Sequence, residues 1–93
     1  MSNPLRAVVV GAGWASEGHT KALQGCGVEV VAICGRQTEV VRQVTERLGV
    51  AEAATDWRDA IERLRPDIVT LATPAPLRRE VADVAAAMGS HVL

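Results

Sequence analysis

The sequence predicts an α/β protein built on a doubly wound parallel sheet with the strand order 3-2-1-4-5. Three observations support this prediction. Apolar runs of strand length alternate with segments of helical periodicity, the connections between them are short, and the first apolar run leads directly into a turn that contains two glycines. The chain has 93 residues, so we expect one domain over residues 1–93.

The first strand is predicted over residues 5–10, because every residue in it except Arg6 is apolar, as expected for a parallel strand covered on both faces. A helix is predicted over residues 14–24, and the glycine-containing turn at residues 25–27 ends it. Its spacing predicts an inner face of four residues: Ala15, His19, Ala22 and Leu23. We interpret His19 as a hydrogen-bonded core residue rather than a catalytic base.

The second strand is predicted over residues 28–34, and Cys34 at its end is interpreted as a small buried hydrophobe. A second helix is predicted over residues 38–48, closed by Gly49. Four apolar residues are expected on its inner stripe: Val40, Val41, Val44 and Leu48. Residues 50–54 can form only a short strand, which we expect at an edge of the sheet.

The remainder of the chain repeats this alternation. Thr55 or Asp56 is expected to cap a third helix that Pro66 stops. Its core stripe is predicted from helical spacing: Trp57, Ala60, Ile61 and Leu64. A fourth strand over residues 68–72 is expected to end at Thr73-Pro74. A fifth strand is predicted at residues 91–93. The fourth helix, which precedes it, should bury a stripe of five apolar residues: Leu77, Val81, Val84, Ala85 and Met88.

The composition argues against several classes of partner. A formal net charge of −1 with mixed signs gives no electrostatic basis for binding nucleic acid or a membrane surface. No segment reaches the roughly 20 apolar residues of a membrane helix, and the N-terminus lacks the pattern of a secretory signal peptide. Cys26 and Cys34 have the spacing of neither a metal site nor a redox pair. We therefore expect a cytoplasmic protein with reduced thiols and no bound metal.

The two-glycine turn is the first candidate binding element. Gly11 would allow the tight turn after the first strand, and Gly13 would remove a side chain that blocks a pyrophosphate. The third position of this pattern holds Ser16, which is small but is not the usual Gly or Ala. We expect free main-chain amides here to face a diphosphate, aided by the positive end of the helix dipole. Alone, such a turn is weak evidence for a nucleotide site.

Further motifs extend over the whole chain: Gly11-x-Gly13-x-x-Ser16-x-x-His19, Asp56-Trp57-Arg58, Ala72-Thr73-Pro74 and Gly89-Ser90-His91-Val92-Leu93. With them, all 93 residues resemble the Gfo/Idh/MocA family of NAD(P)-dependent sugar and polyol oxidoreductases. The resemblance implies a Rossmann fold, truncated before the C-terminal substrate domain.

In this family a Glu-Lys-Pro tripeptide with the catalytic lysine would come next, followed by a larger α/β domain. That domain would supply the pocket for a small-molecule substrate and the interface of a homo-oligomeric parent. The resemblance therefore assigns no catalytic residue to this chain, which we expect to be inactive alone. The family often has Asn and His after Thr-Pro where this chain has Ala75 and Arg78, so polar contacts to the nicotinamide ribose are expected to be altered or lost.

The end of the predicted second strand distinguishes NAD from NADP. An NAD site places Asp or Glu there, roughly 20 residues beyond the glycine turn, to bind the ribose 2′-OH. This chain has Gly35 and Arg36 instead, and its next carboxylate, Glu39, falls within the predicted helix. Gly35 is expected to leave space, and the planar guanidinium of Arg36 matches a phosphate. The sequence therefore predicts a preference for NADP, with Arg36 on the 2′-phosphate and Thr38 as an auxiliary contact.

The alternative is that Arg36 is a solvated loop residue and that NAD is used without recognition of the 2′ position. Elsewhere, Trp14 is expected to lie over the phosphate turn or to pack without touching a ligand. Thr73 and Pro74 should border the nicotinamide, with Leu77 nearby, because ligands enter beside this strand end. The candidate cofactor-binding residues are Gly11, Ala12, Gly13, Trp14, Ala15, Gly35, Arg36, Thr38, Thr73, Pro74 and Leu77.

Two other functions fit the same sequence. The chain could be a non-catalytic sensor or scaffold module that holds a dinucleotide or a CoA-type ligand, which the departures at Ala75 and Arg78 favour slightly. It could also keep the fold only for assembly, with Ser16 blocking the phosphate turn.

Overall fold

The computed structural model describes residues 3–93, over which strands and helices alternate. The strands are β1 (Arg6–Val10), β2 (Glu29–Cys34), β3 (Glu52–Ala54), β4 (Ile68–Leu71) and β5 (His91–Val92). The helices are α1 (Trp14–Gly25), α2 (Thr38–Leu48), α3 (Trp57–Leu64) and α4 (Ala75–Ala87). Within residues 3–93, no helix is both long and apolar enough to cross a membrane.

All strand pairs are parallel, and the order in the sheet is β3-β2-β1-β4-β5. The predicted topology is therefore confirmed, including the position of the short third strand at an edge. Several strands are one or two residues shorter than predicted. For example, β3 begins at Glu52 rather than at residue 50, because the Val50 amide donates to the Thr45 carbonyl and completes the end of α2.

The central strand is covered on both faces, as its unbroken apolar character predicts. Ala7 and Val9 belong to the core layer beneath α1 and α2. Val8 and Val10 belong to the opposite layer, which α3 and α4 cover. Alternate residues of β1 therefore enter two separate cores, as expected for a doubly wound sheet.

The predicted inner face of α1 is partly wrong. Ala15 and Ala22 are exposed, whereas Ser16 and Thr20 are fully buried against the sheet. The Ser16 hydroxyl donates to the Gly13 carbonyl at 2.7 Å, so this polar group is satisfied within its own turn and can be buried at little cost. A rule that places only apolar residues inside therefore selects the wrong face.

The same correction applies to α2. Val40 was expected in the inner stripe, but 42% of it is exposed. Thr45 is buried instead, and its hydroxyl donates to the Arg42 carbonyl at 2.9 Å. Val41 and Val44 are buried as predicted.

Expected hydrogen bonds of two polar residues are present. The His19 ring nitrogen Nδ1 lies 2.7 Å from the Thr70 hydroxyl, so this half-buried histidine is hydrogen-bonded to the sheet. Of the two cap candidates for α3, Asp56 is the cap, since its carboxylate accepts from the Asp59 amide at 3.0 Å.

The chain that leaves β1 passes close to the end of β4 at Gly11. This glycine has φ +124°, and a Cβ atom added to it would lie 2.5 Å from the Ala72 carbonyl oxygen. A backbone oxygen cannot move aside as a flexible side chain can. Both the dihedral angle and the contact therefore require glycine at this position.

We expect Gly11→Ala to lower the free energy of unfolding by more than about 2 kcal/mol, because it combines a strained dihedral angle with overlap on main-chain atoms. Gly27→Ala is the matched control, since Gly27 has φ +83° but no atom within 4 Å of an added Cβ. It should cost about 1 kcal/mol. Urea denaturation of both variants measures the difference, and equal losses would contradict the argument.

Cys34 lies at the end of β2 with 1% of its surface exposed. Burial, together with the nearby carboxylates of Glu52 and Asp56, raises the pKa of its thiol to about 12. Cys26, in the turn after α1, is exposed. The two thiols should therefore differ in reactivity, because the thiolate is the nucleophile.

At pH 8, iodoacetamide should alkylate the native chain once, at Cys26, and the denatured chain twice. The Cys34 thiol stays protonated in the folded state because pH 8 lies well below its raised pKa. Peptide mapping by mass spectrometry identifies the modified residue. Alkylation of Cys34 in the native chain as fast as that of Cys26 would show that the end of β2 is open.

Candidate functional site

The carboxyl ends of β1, β2, β3 and β4 lie side by side along one edge of the sheet. Val10 pairs with Cys34 on one side and with Leu71 on the other, and Cys34 pairs in turn with Ala54. The loops that leave these strand ends enclose a cleft of about 790 Å³. Ligands of open α/β sheets bind at this position, outside the strand ends where the strand order reverses.

The cleft is lined by residues at or just beyond the ends of these four strands and by residues in the first turns of α2, α3 and α4. They are Val10, Gly11, Ala12, Gly13, Cys34, Gly35, Arg36, Gln37, Val40, Val41, Thr55, Trp57, Ala72, Thr73, Pro74, Pro76 and Leu77.

The turn between β1 and α1 forms the centre of the cleft floor. A Cβ atom added to Gly13 would meet no other atom within 4 Å, so the missing side chain leaves open space. Within residues 3–93, the amides of Ala12, Gly13, Trp14 and Ala15 donate to no protein acceptor. These free N–H groups and the positive end of the α1 dipole can hold an anionic group at the open side of Gly13.

Ser16 does not occupy this space. It is buried beneath the first turn of α1, and its hydroxyl donates back to the Gly13 carbonyl. The departure from Gly or Ala at this position therefore leaves the turn open.

The turn after β2 packs directly on the glycine turn. A Cβ atom at Gly35 would lie 2.6 Å from Val41 Cγ2 and 2.7 Å from the Ala12 Cβ. Gly35 also donates from its amide to the Ala54 carbonyl at 2.9 Å. The space that we expected Gly35 to leave for a ligand is thus filled by protein on its Cβ side. Its role is to let two loops approach each other.

Arg36 lies at the same end of the cleft and is exposed. Within residues 3–93, its guanidinium takes part in no hydrogen bond or ion pair. A planar group with five free donors therefore faces the cleft beside the end of β2.

Three carboxylates near the ends of β2 and β3 are already engaged with protein groups. Arg42 binds Glu39 and holds the pKa of its carboxyl below the usual value, mainly by a side-chain hydrogen bond. Arg63 binds Glu52 and lowers its pKa in the same way. Asp56 caps α3. These carboxylates are directed to protein partners, and none of them lines the cleft.

Apolar side chains form the walls of the cleft. Val40 projects from the first turn of α2, Trp57 is the first residue of α3, and Leu77 lies in the first turn of α4. Helical spacing predicted Val40 and Trp57 as core residues, so their place in the cleft lining was not predicted. A usable signal was available, because the first turn of each helix in a doubly wound sheet borders the carboxyl edge of the strands.

The turn between β4 and α4 closes the other end of the cleft. Only 8% of Thr73 is exposed, and its carbonyl accepts from Arg78 Nε at 2.9 Å. Pro74 precedes α4 with φ −58°, a value that its ring fixes. Arg78 itself does not line the cleft; its side chain folds back onto the turn that precedes its own helix.

The structure brings most of the predicted site residues together. Those that line the cleft are Gly11, Ala12, Gly13, Gly35, Arg36, Thr73, Pro74 and Leu77. Trp14 and Ala15 lie outside the lining, in a shallow depression on the outer side of α1, where 90% of Trp14 is exposed. Thr38 begins α2 and is exposed without lining the cleft.

Comparison with known proteins identifies relatives of the whole described chain. A family model described as "Oxidoreductase family, NAD-binding Rossmann fold" matches residues 5–93. The chain is 34% identical over 89 residues to 4-carboxy-2-hydroxymuconate-6-semialdehyde dehydrogenase of Sphingobium sp. strain NBRC 103272 / SYK-6. This match covers 95% of the chain and 28% of the relative.

Solved structures have the same architecture. Myo-inositol 2-dehydrogenase from Lactobacillus plantarum superposes with a TM-score of 0.88 at 29% identity, over 97% of this chain and 27% of that one. Levoglucosan dehydrogenase in complex with NADH superposes with a TM-score of 0.86 at 25% identity, again over 97% and 27%. The chain thus spans about a quarter of the length of these relatives.

Three kinds of observation agree with one another: the motifs at the glycine turn, the third helix and the Thr-Pro turn; the 3-2-1-4-5 sheet; and the family match. The chain belongs to the Gfo/Idh/MocA family of oxidoreductases and has its NAD-binding Rossmann fold.

Proposed function

We propose that this chain is the NADP(H)-binding part of an oxidoreductase that transfers hydride between nicotinamide and a carbonyl or alcohol carbon of a sugar- or polyol-like substrate. One observation carries the proposal: within residues 3–93 the main-chain amides from Ala12 to Ala15 have no protein acceptor, and Gly13 among them leaves open space where a side chain would project. A diphosphate is the part of a dinucleotide that such donors bind. Trp14 and Ala15 would take part through these amides.

The adenosine half of the cofactor would lie toward the end of β2. Arg36 would bind the 2′-phosphate with its uncommitted guanidinium, and Thr38 would be an auxiliary contact. The engagement of Glu39, Glu52 and Asp56 with protein partners supports this choice, because within residues 3–93 no carboxylate lines the cleft to accept from a 2′-hydroxyl. Val40 and Trp57 offer apolar surface to the adenine. NAD, held without recognition of the 2′ position, is the alternative cofactor.

The nicotinamide half would extend to the opposite end of the cleft. With the diphosphate at Gly13 and the adenosine ribose near Arg36, the other ribose would lie beside Thr73 and Pro74, with Leu77 packing nearby. The bound cofactor supplies the hydride chemistry, whereas these residues bind and orient it.

The substrate and the catalytic groups belong to regions of a longer protein. The similar structures of myo-inositol 2-dehydrogenase and levoglucosan dehydrogenase support a sugar- or polyol-like small molecule. We propose that residues 1–93 are the dinucleotide-binding domain of this protein, which would be a cytoplasmic homo-oligomer. The isolated chain should bind cofactor without catalysing turnover.

Calorimetric titration of the 93-residue chain should give measurable affinity for NADPH, weaker affinity for NADH and less for CoA. Gly13→Ala should weaken NADPH binding about tenfold or more, because its methyl group would occupy the open space in front of the amides. The melting temperature should change by only a few degrees, since Gly13 has φ −87° and an added Cβ has no close neighbour.

Gly18→Ala is the matched control. Gly18 lies in α1, its added Cβ would also be in open space, and it is not part of the cleft lining, so NADPH affinity should not change. Equal affinity of wild type and Gly13→Ala would contradict the assigned diphosphate site. A chain that bound CoA in preference to both dinucleotides would support the sensor or scaffold function instead.

Arg36→Ala should weaken NADPH binding about ten- to a hundredfold and leave NADH binding unchanged, because only NADPH carries the 2′-phosphate that the guanidinium would bind. Arg47→Ala serves as the control, since Arg47 lies in the last turn of α2 and pairs with Glu17. An unchanged ratio of NADPH to NADH affinity in Arg36→Ala would rule out the 2′-phosphate assignment.

A further inference from the structure

Among residues 3–93, two buried side-chain oxygens have no hydrogen-bond partner: Thr20 Oγ1 and Thr73 Oγ1. Buried hydroxyls in folded proteins are nearly always paired, because an unpaired one has lost its contacts with water without replacing them. An orphaned hydroxyl therefore calls for a physical explanation at each position.

The two threonines differ in their relation to the cleft. Thr20 lies on the inner side of α1 and is not part of the cleft lining. Thr73 lines the cleft at the end of β4, with 92% of its surface buried. Only the second hydroxyl belongs to a residue that a ligand in the cleft could reach.

The main chain of Thr73 is held on its carbonyl side. Its carbonyl accepts from Arg78 Nε at 2.9 Å, and the next residue, Pro74, has a fixed φ. The adjustable part of Thr73 is therefore the rotation about its Cα–Cβ bond, which moves Oγ1 into the position of the Cγ2 methyl group or of the Cβ hydrogen. One rotation would move the hydroxyl out of its unpaired position, with no change in the turn.

We propose that the Thr73 hydroxyl is a binding group for the ribose of the nicotinamide half of the cofactor. It turns toward the cleft when that half is present and forms there the hydrogen bond that it lacks in the free protein. The Arg78 hydrogen bond to the Thr73 carbonyl is compatible with this rotation, because it involves the main chain of Thr73 only. This inference rests on the proposed function, which brings that ribose to this end of the cleft.

The test is Thr73→Val, which removes the hydroxyl and keeps the shape of the side chain. Calorimetric titration of the 93-residue chain should show NADPH binding about three- to tenfold weaker than in wild type, the loss expected for one neutral hydrogen bond. Binding of adenosine 2′,5′-bisphosphate, which has no nicotinamide half, should be unchanged. Thr73→Ser keeps a hydroxyl and should restore most of the NADPH affinity.

Thr20→Val is the matched control, because it also removes an unpartnered buried hydroxyl and replaces it with a methyl group. It should leave the affinity for both ligands unchanged. The melting temperatures of both valine variants should be at or above that of wild type, which separates a lost contact from a damaged fold.

Two results would overturn the inference while leaving the proposed function intact: wild-type NADPH affinity in Thr73→Val, or an equal loss for NADPH and adenosine 2′,5′-bisphosphate. A wild-type chain that bound neither NADPH nor NADH would overturn the proposed function and this inference with it.

Discussion

The close approach of the β1 end to the β4 end at Gly11 is the constraint on which the cleft depends. The Val10 carbonyl accepts from the Ala72 amide at 2.9 Å, and the Gly11 amide donates to the Cys34 carbonyl at 2.6 Å. The end of β1 is thus bonded to both neighbouring strands while the chain turns out of the sheet. Because Gly11 has no side chain, it can lie against Ala72 as the chain leaves the sheet, at the point where the strand order reverses. The free main-chain amides follow directly after this point, beside the cleft.

The three glycines around the cleft have two different roles. Gly11 and Gly35 allow protein to approach protein, since an added Cβ would overlap Ala72 or Ala12. Gly13 alone leaves its space to solvent. The packing glycines let the two loops approach each other, and main-chain hydrogen bonds from Gly11 to Cys34 and from Gly35 to Ala54 fix the loops to the sheet beside the free amides. A preorganised set of donors needs no rearrangement to bind an anion, which is why main-chain amides suit a diphosphate.

The strand order, the two core layers and eight of the seventeen residues that line the cleft could be predicted from the sequence, because apolar runs, helical spacing and glycines report directly on backbone geometry. Hydrophobicity failed where short polar side chains of the helices are buried, namely Ser16, Thr20 and Thr45. Ser16 and Thr45 can be buried because their hydroxyls donate to main-chain carbonyls one turn earlier. Ala15 and Val40, which were predicted to face inward, are exposed instead. The packing role of Gly35 could not be predicted either, since it depends on a contact between loops distant in sequence.

The two residues that depart from the family pattern both lie in or just after the turn that follows β4, where their contacts are observed. The resemblance implied that Ala75 and Arg78 would alter polar contacts to the nicotinamide ribose. Ala75 begins α4 without a polar side chain, and Arg78 is directed to the Thr73 carbonyl rather than to the cleft. Neither side chain therefore offers the cleft a hydrogen bond in this arrangement. The same Arg78 contact, however, holds the one residue of the turn that has an unused hydroxyl, so a polar contact absent at Ala75 can be supplied by Thr73.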